Sequence, residues 1–79
     1  MDEIERIMRY YFHLESETTV FLDHLGKEFA GEDSAARHAA SMARDLAADD
    51  QWLGWFVQVI DANNTQVLSV QIVDALLHG

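Results

Sequence analysis

The chain has 79 residues, of which 49% are hydrophobic, so it is predicted to form one small domain around a single core. A formal net charge of −9 disfavours direct binding to nucleic acid and to anionic membranes. Cysteine is absent, which excludes disulfides, thiolate metal sites and a cysteine nucleophile. The acidic N-terminus and the lack of a long apolar run favour a cytoplasmic location.

The first predicted element is a strand from Met8 to Glu15, which contains three aromatic residues and no glycine or proline. The two-residue period of a strand divides its side chains between two faces. The core face carries Tyr10, Phe12 and Leu14, and the opposite face carries Tyr11, His13 and Glu15.

A hairpin connection at residues 16–18 is predicted to lead into a second strand at residues 19–23. Asp23 and Gly26 are typical of the turn that follows, because Asp23 can accept backbone hydrogen bonds and Gly26 tolerates positive φ. Residues 27–29 continue the strand past a bulge, and Phe29 is expected to lie between the sheet and a helix.

That helix is predicted from Ala35 to about Asp50, since apolar residues recur there with the spacing of an amphipathic helix. Asp33 or Ser34 is expected to cap its N-terminus. Asp49 and Asp50 should weaken its C-terminal end, where negative charge opposes the helix dipole.

Two further strands are predicted at residues 56–61 and 66–73, joined by a two-residue turn at Asn63-Asn64. The predicted fold class is therefore α+β, with an antiparallel four-stranded sheet and one helix packed on one face (β-β-α-β-β). Residues 1–7 are interpreted as an N-terminal extension, and residues 8–79 as a single α+β domain.

Two motifs carry a family resemblance: the opening run Arg9-Tyr10-Tyr11-Phe12-His13, and Asp23, Gly26 and Glu28 in the pattern Asp-x-x-Gly-x-Glu. Both resemble the DUF6894 family, small bacterial domains of unknown function, and the similarity extends from about residue 8 to residue 73. The sequence departs from the family at the hairpin tip and in residues 1–7. The resemblance implies a fold and a bacterial or phage origin, and it implies no activity. In element order alone, the chain is also similar to the antitoxin half of HicAB-type modules.

His13, His24 and Asp23 are the candidates for metal binding or acid–base chemistry, because a hairpin can bring His13 close to Asp23. A zinc site needs three or four ligands in defined geometry, so the favoured interpretation is structural or surface histidines, with metal binding as the open alternative. His38 and His78 have no predicted ligand partners. No cofactor is predicted.

No catalytic motif is recognisable, since the sequence contains no glycine-rich phosphate loop, no nucleophile elbow and no His-Glu-x-x-His. The paired carboxylates lie at predicted turns and helix ends, where acidic residues are common. A domain of this size also has little room for a pocket that would shift a pKa. The chain is therefore predicted not to be an enzyme.

The sheet face away from the helix is predicted to be a subunit or partner interface formed by Tyr11, His13, Gln58, Ile60 and Val67. The alternative is scattered apolar surface groups, which are common on monomers. The predicted function is a non-enzymatic acidic protein-binding module that self-associates as a homodimer, through this face or an edge strand. The second hypothesis is an antitoxin-like or phage-encoded inhibitor (anti-CRISPR-like) that docks its acidic surface on a basic nucleic-acid-binding protein.

Overall fold

The structure is a computed structural model, and it describes residues 7–74. Most of the predicted N-terminal extension and the end of the tail, including His78, lie outside the described residues. The elements are β1 (Met8–Glu15), β2 (Val20–Phe21), β3 (Lys27–Phe29), α1 (Glu32–Leu46), a short 3-10 helix (Asp50–Trp52), β4 (Phe56–Asp61) and β5 (Gln66–Gln71). The predicted α+β class is confirmed.

All strands belong to one antiparallel sheet in the order β2-β1-β4-β5, with β3 also paired to β1. The predicted second strand is thus present as two short pieces along one edge of β1. β2 pairs with residues 14 and 15, and β3 pairs with residues 8 to 10. Residues 22–26 between the two pieces lie outside the strands and contain the predicted turn residues Asp23 and Gly26.

The core lies between the sheet and α1. Its largest fully enclosed side chains are Val57, Val59 and Ile72, each 0% exposed. Tyr10 and Phe12 of β1 complete the sheet side, as the two-residue period predicted. The helix contributes Ala35, Ala39 and Ala43 to this core. Their small side chains let the helix axis lie close to the sheet.

The predicted caps of α1 are wrong. The helix begins at Glu32 with Gly31 as its N-cap, and no side chain makes a capping hydrogen bond. Asp33 therefore lies inside the first turn, where its charge favours the positive end of the helix dipole. Glycine is itself an accepted N-cap residue, so the helix can begin after Gly31 without a side-chain hydrogen bond.

The predicted C-terminal limit of α1 is also wrong, since the helix ends at Leu46 rather than near Asp50. Asp49 instead caps the 3-10 helix: its carboxylate accepts hydrogen bonds from the backbone N–H of Gln51 at 3.2 Å and from the Gln51 side chain at 2.9 Å. Aspartate competes in this way with helical hydrogen bonding, which is the physical reason for the earlier end.

The β4–β5 hairpin differs from the predicted two-residue turn. Its loop contains three residues, 62–64, because the N–H of Asn64 donates to the carbonyl of Asp61 and the N–H of Asp61 donates to the carbonyl of Thr65. Only Asn64 of the loop takes a positive φ, at 66°. The Asp61 carboxylate favours this loop by accepting from the N–H groups of Asn63 and Thr65, both at 2.9 Å.

Candidate functional site

The sheet face opposite α1 carries four of the five predicted interface residues. The β1–β4 register places Tyr11 beside Ile60 and His13 beside Gln58, in alternation with the buried residues of both strands. All four side chains are partly buried. The structure therefore brings these residues together on one face, which we call the open face.

Val67 does not join this group. A register shift between Val59 and Ile60 inserts one extra residue into β5, so that Leu68 pairs with Val59 and Gln66 pairs with Ile60. Val67 is the inserted residue, and its partly buried side chain packs against the core cluster. The simple alternation used for the prediction does not include such a bulge.

The open face contains a depression of about 260 Å³ at the end nearest the β4–β5 hairpin, which we call the hairpin depression. Its walls come from β1, the loop after β2, and the end of β4 with its turn. The lining residues are Tyr11, His13, Asp23, His24, Ile60, Asp61, Ala62 and Asn64. Among the described residues, its lining includes two carboxylates and no lysine or arginine.

Asp23 is held firmly in the wall of the hairpin depression. Its Oδ2 accepts from the N–H of Phe12 at 3.1 Å. Its Oδ1 accepts from the N–H groups of Leu25 and Gly26, at 3.1 Å and 3.0 Å. Both carboxylate oxygens are thereby committed to backbone donors, which fixes the loop on the edge of the sheet.

These contacts set the protonation of Asp23. Partial burial acts to raise the pKa of its carboxyl group, but the hydrogen bonds from Gly26, Phe12 and Leu25 and the proximity of His13 outweigh burial and lower the pKa. Asp23 is consequently a stable carboxylate. A general base at neutral pH needs a pKa closer to the working pH, so Asp23 is poorly suited to that role.

His13 contacts Asp23 as the hairpin argument predicted, although the contact is with the backbone of Asp23. The N–H of Asp23 donates to Nδ1 of His13 at 3.0 Å. Because Nδ1 is the acceptor, the neutral imidazole carries its proton on Nε2. His13 thus helps to position the loop, and its Nε2–H remains as a donor.

Arg9 and Gly26 complete the attachment of the loop. Arg9 donates from Nη1 to the carbonyl of Leu25 at 2.6 Å and forms a half-exposed ion pair with Glu28 at 3.3 Å. Gly26 has φ of +67°, and a Cβ there would lie 2.9 Å from the carbonyl oxygen of Tyr10. The residues of the two sequence motifs therefore hold one another in place around this loop.

The metal interpretation of His13, His24 and Asp23 gains no support. Within residues 7–74, no group of three or more histidine, aspartate or glutamate side chains could hold a metal ion.

His38, which had no predicted partner, packs edge-on against Phe12 with ring centroids 4.8 Å apart. Burial, followed by the charge of Lys27, lowers the pKa of His38.

A second depression, of about 230 Å³, lies at the other end of the open face. It is lined by Glu15, Ser16, Glu17, Phe56, Gln58 and Ser69. Oε1 of Gln58 is buried there and has no hydrogen-bond partner among the described residues. This end of the face is also acidic, since two of its lining residues are glutamates.

Asp61 and Asn64 line the hairpin depression although neither was a predicted site residue. Asp61 is the last residue of β4, where the register pairs it with Tyr10 of β1, and Asn64 belongs to the turn that follows. The pairing of β4 with β1 could have indicated them. When β4 pairs antiparallel with residues 10–15 of β1, the turn after β4 must lie close to Tyr11.

The described helices are all too short or too polar to cross a membrane. Fold and open face together define a small acidic α+β domain in which one sheet surface is left uncovered by the helix. A family model described as a domain of unknown function, DUF6894, matches residues 9–73. The chain belongs to this family, as the two motifs predicted. Neither a curated protein nor a solved structure is significantly similar to the chain.

Proposed function

We propose that this protein is a non-enzymatic, self-associating protein-binding module that receives a partner protein on its open face. The observation that carries the proposal is the hairpin depression, in which Tyr11 and Ile60 provide apolar surface beside the carboxylates of Asp23 and Asp61. Tyrosine in a partly apolar, concave patch is typical of protein interfaces.

The charge of the chain favours a basic partner. The net charge of −9 and the acidic linings of both depressions attract cationic surfaces and repel nucleic acid. A lysine or arginine of a partner that enters the hairpin depression would meet carboxylate oxygens and the ring of Tyr11.

The polar groups of the site support a binding role over a catalytic one. Both oxygens of Asp23 accept backbone hydrogen bonds, and Nδ1 of His13 accepts another. Oδ1 of Asp61 accepts from the turn N–H groups of Asn63 and Thr65. Polar groups that hold the backbone in this way have a structural task already, which favours a binding role over proton transfer. We place the module in the cytoplasm of a bacterium.

A second candidate function is more specific. The same acidic surface suits an antitoxin-like or phage-encoded inhibitor, anti-CRISPR-like in mode, that covers the cationic surface of a nucleic-acid-binding protein. The excess of acidic residues in so short a chain, 14 against five basic ones, favours it. Such an inhibitor would compete with nucleic acid for the partner, whereas a general binding module would not.

The test is capture of partners from bacterial lysate on the immobilised wild-type chain and on a Tyr11→Glu/Ile60→Glu variant. A partner of the open face is retained by the wild type and lost by the variant. A basic partner should also be released as ionic strength rises, because screening weakens charge-steered binding. A charge-matched unrelated domain is the control. Equal recovery on the wild type and the variant would refute the open face as the binding surface.

A second experiment, with the purified partner, distinguishes the two candidate functions. If the chain displaces a labelled oligonucleotide from that partner in proportion to its own binding, the inhibitor function is supported. If partner, oligonucleotide and chain form one complex, the general binding module is supported and the inhibitor is refuted.

A further inference from the structure

The two edges of the sheet differ in how they are protected. On one side, β2 and β3 are only two and three residues long and include the charged residues Lys27 and Glu28. They are separated by residues 22–26, which hydrogen bonds hold against β1 and which we call the clamped loop. Short, interrupted and charged edge strands resist pairing with another chain. On the other side, β5 runs for six residues and ends the sheet within the described part of the chain.

β5 lacks these protective features. Its sequence, Gln-Val-Leu-Ser-Val-Gln, contains no charge, proline or glycine, although the whole chain carries a net charge of −9. Of its side chains, Gln66, Ser69 and Gln71 are exposed. An uncharged edge strand of this length is a template for strand addition.

The hydrogen bonds at the end of β5 show which backbone groups face outward. The N–H of Ile72 donates to the carbonyl of Trp55, and the carbonyl of Ile72 accepts from Gly54, each at 2.8 Å. Backbone groups of an antiparallel strand alternate in direction, so Val70 also points toward β4. The N–H and C=O groups of Ser69 and Gln71 therefore point away from the sheet.

We infer that the self-association occurs along β5, which pairs antiparallel with β5 of a second copy around a two-fold axis at Ser69. Ser69 would exchange both backbone hydrogen bonds with Ser69 of the second copy. In this register Leu68 of each copy lies opposite Val70 of the other, on the helix side. The apolar strip over β5 thus continues into the second copy, and β5 itself brings no charge to the contact.

This arrangement has a consequence for the proposed function. A two-fold axis perpendicular to the sheet keeps both helices on one side, so both open faces lie on the other side of one continuous sheet. The dimer would present two hairpin depressions on a single surface and bind a partner bivalently. The inference rests on the self-association within the proposed function, and it does not depend on which partner the open face binds.

The first test is the mass in solution of the wild type and of two lysine variants. Ser69→Lys places a charge at the two-fold axis, and Thr65→Lys makes the same charge change at an exposed position just before β5. At about 100 μM, where a dimer with micromolar Kd is populated, the wild type and Thr65→Lys should have twice the monomer mass. Ser69→Lys should weaken the dimer by about tenfold or more.

A cysteine variant tests the register and avoids a disruptive substitution. Ser69→Cys would introduce the sole cysteine of the chain. Directly opposed residues in a hydrogen-bonded antiparallel pair have Cα atoms about 5.5 Å apart, which matches disulfide geometry. Ser69→Cys should therefore form a covalent dimer on mild oxidation, and Thr65→Cys should not.

The outcomes separate the inference from the proposed function. A monomeric wild type overturns the β5 dimer, and so does a dimer that persists in Ser69→Lys while Ser69→Cys fails to cross-link. Rising salt should strengthen this dimer, because it screens repulsion between two copies that each carry −9, whereas it should release a basic partner. If a partner is captured through Tyr11 and Ile60 by a monomer, the binding function stands and only the dimer is refuted.

Discussion

Oδ2 of Asp23 accepts a hydrogen bond at 3.1 Å from the backbone N–H of Phe12, at the point where the edge strand beside β1 is interrupted. A side chain here takes the place of a missing strand residue. The N–H of Phe12 would otherwise lack a ladder partner on that edge, and an unpaired, partly buried amide is costly. This contact links the sheet to the loop that walls the hairpin depression.

Replacing Asp23 by alanine should lower the free energy of unfolding by about 3 kcal/mol, since hydrogen bonds to a charged acceptor contribute about 1.5–3 kcal/mol and those lost here are only partly replaced by water. Urea denaturation measures the change. Asp45→Ala, an equal charge change at an exposed helix position, should stay within about 0.5 kcal/mol of the wild type. Similar losses in both variants would contradict the special role of Asp23.

Acid should destabilise the fold partly through the same residue. The pKa of Asp23 is lowered in the folded state, so the unfolded chain binds the proton more readily. This stabilisation is present above about pH 4, the ordinary range of an aspartate, and is lost as pH falls through the lower folded value. Unfolding measured from about pH 6 to about pH 2 should show a shallower pH dependence in Asp23→Asn than in the wild type. Parallel profiles would argue against the prediction.

The described glycines give a graded test of the clamped loop. Gly26→Ala combines positive φ with a Cβ placed 2.9 Å from the Tyr10 carbonyl oxygen, whereas Gly54→Ala has φ of +89° and open space around its Cβ. Gly31→Ala has extended backbone and open space. We expect the free energy of unfolding to fall by about 3 kcal/mol or more in Gly26→Ala and by about 1–2 kcal/mol in Gly54→Ala, as measured by thermal or urea unfolding. Gly31→Ala should lower it by less than about 1 kcal/mol, since alanine is a poorer N-cap than glycine but meets no clash there. If Gly26→Ala is no worse than Gly54→Ala, the close packing of the loop on β1 is wrong.

The regular strands were predictable from sequence because their alternation is strong. β1 and β4 begin and end where the pattern placed them, since each alternates buried and polar or mixed residues over its length. The ends of α1 were not predictable in this way. Its N-cap, Gly31, makes no side-chain hydrogen bond, and Asp49 caps the 3-10 helix that follows. Local sequence offers several competing caps, and the pattern of apolar residues does not distinguish among them.

The candidate site was predictable in part. Alternation placed Tyr11, His13, Gln58 and Ile60 on one face, and the hairpin argument brought His13 to Asp23. The bulge that turns Val67 toward the core left no pattern in the sequence, because an inserted residue breaks the two-residue period without a glycine or proline to mark it. The sequence also did not predict that both oxygens of Asp23 accept backbone hydrogen bonds, because these contacts depend on the path of the loop.

His38 should make stability depend on pH near neutrality. It packs between Phe12 and Phe29, with ring centroids 4.8 Å and 5.2 Å away, and burial with the charge of Lys27 lowers its pKa. The unfolded chain then binds the proton more readily, so this stabilisation is present above about pH 6.5 and is lost as pH falls through the lower folded value. His38→Leu should keep the ring contacts largely filled and remove this dependence, whereas His24→Leu at an exposed position should retain it. Urea unfolding from about pH 7.5 to about pH 5 measures the difference, and identical profiles for the wild type and His38→Leu would show that His38 is not the titrating group.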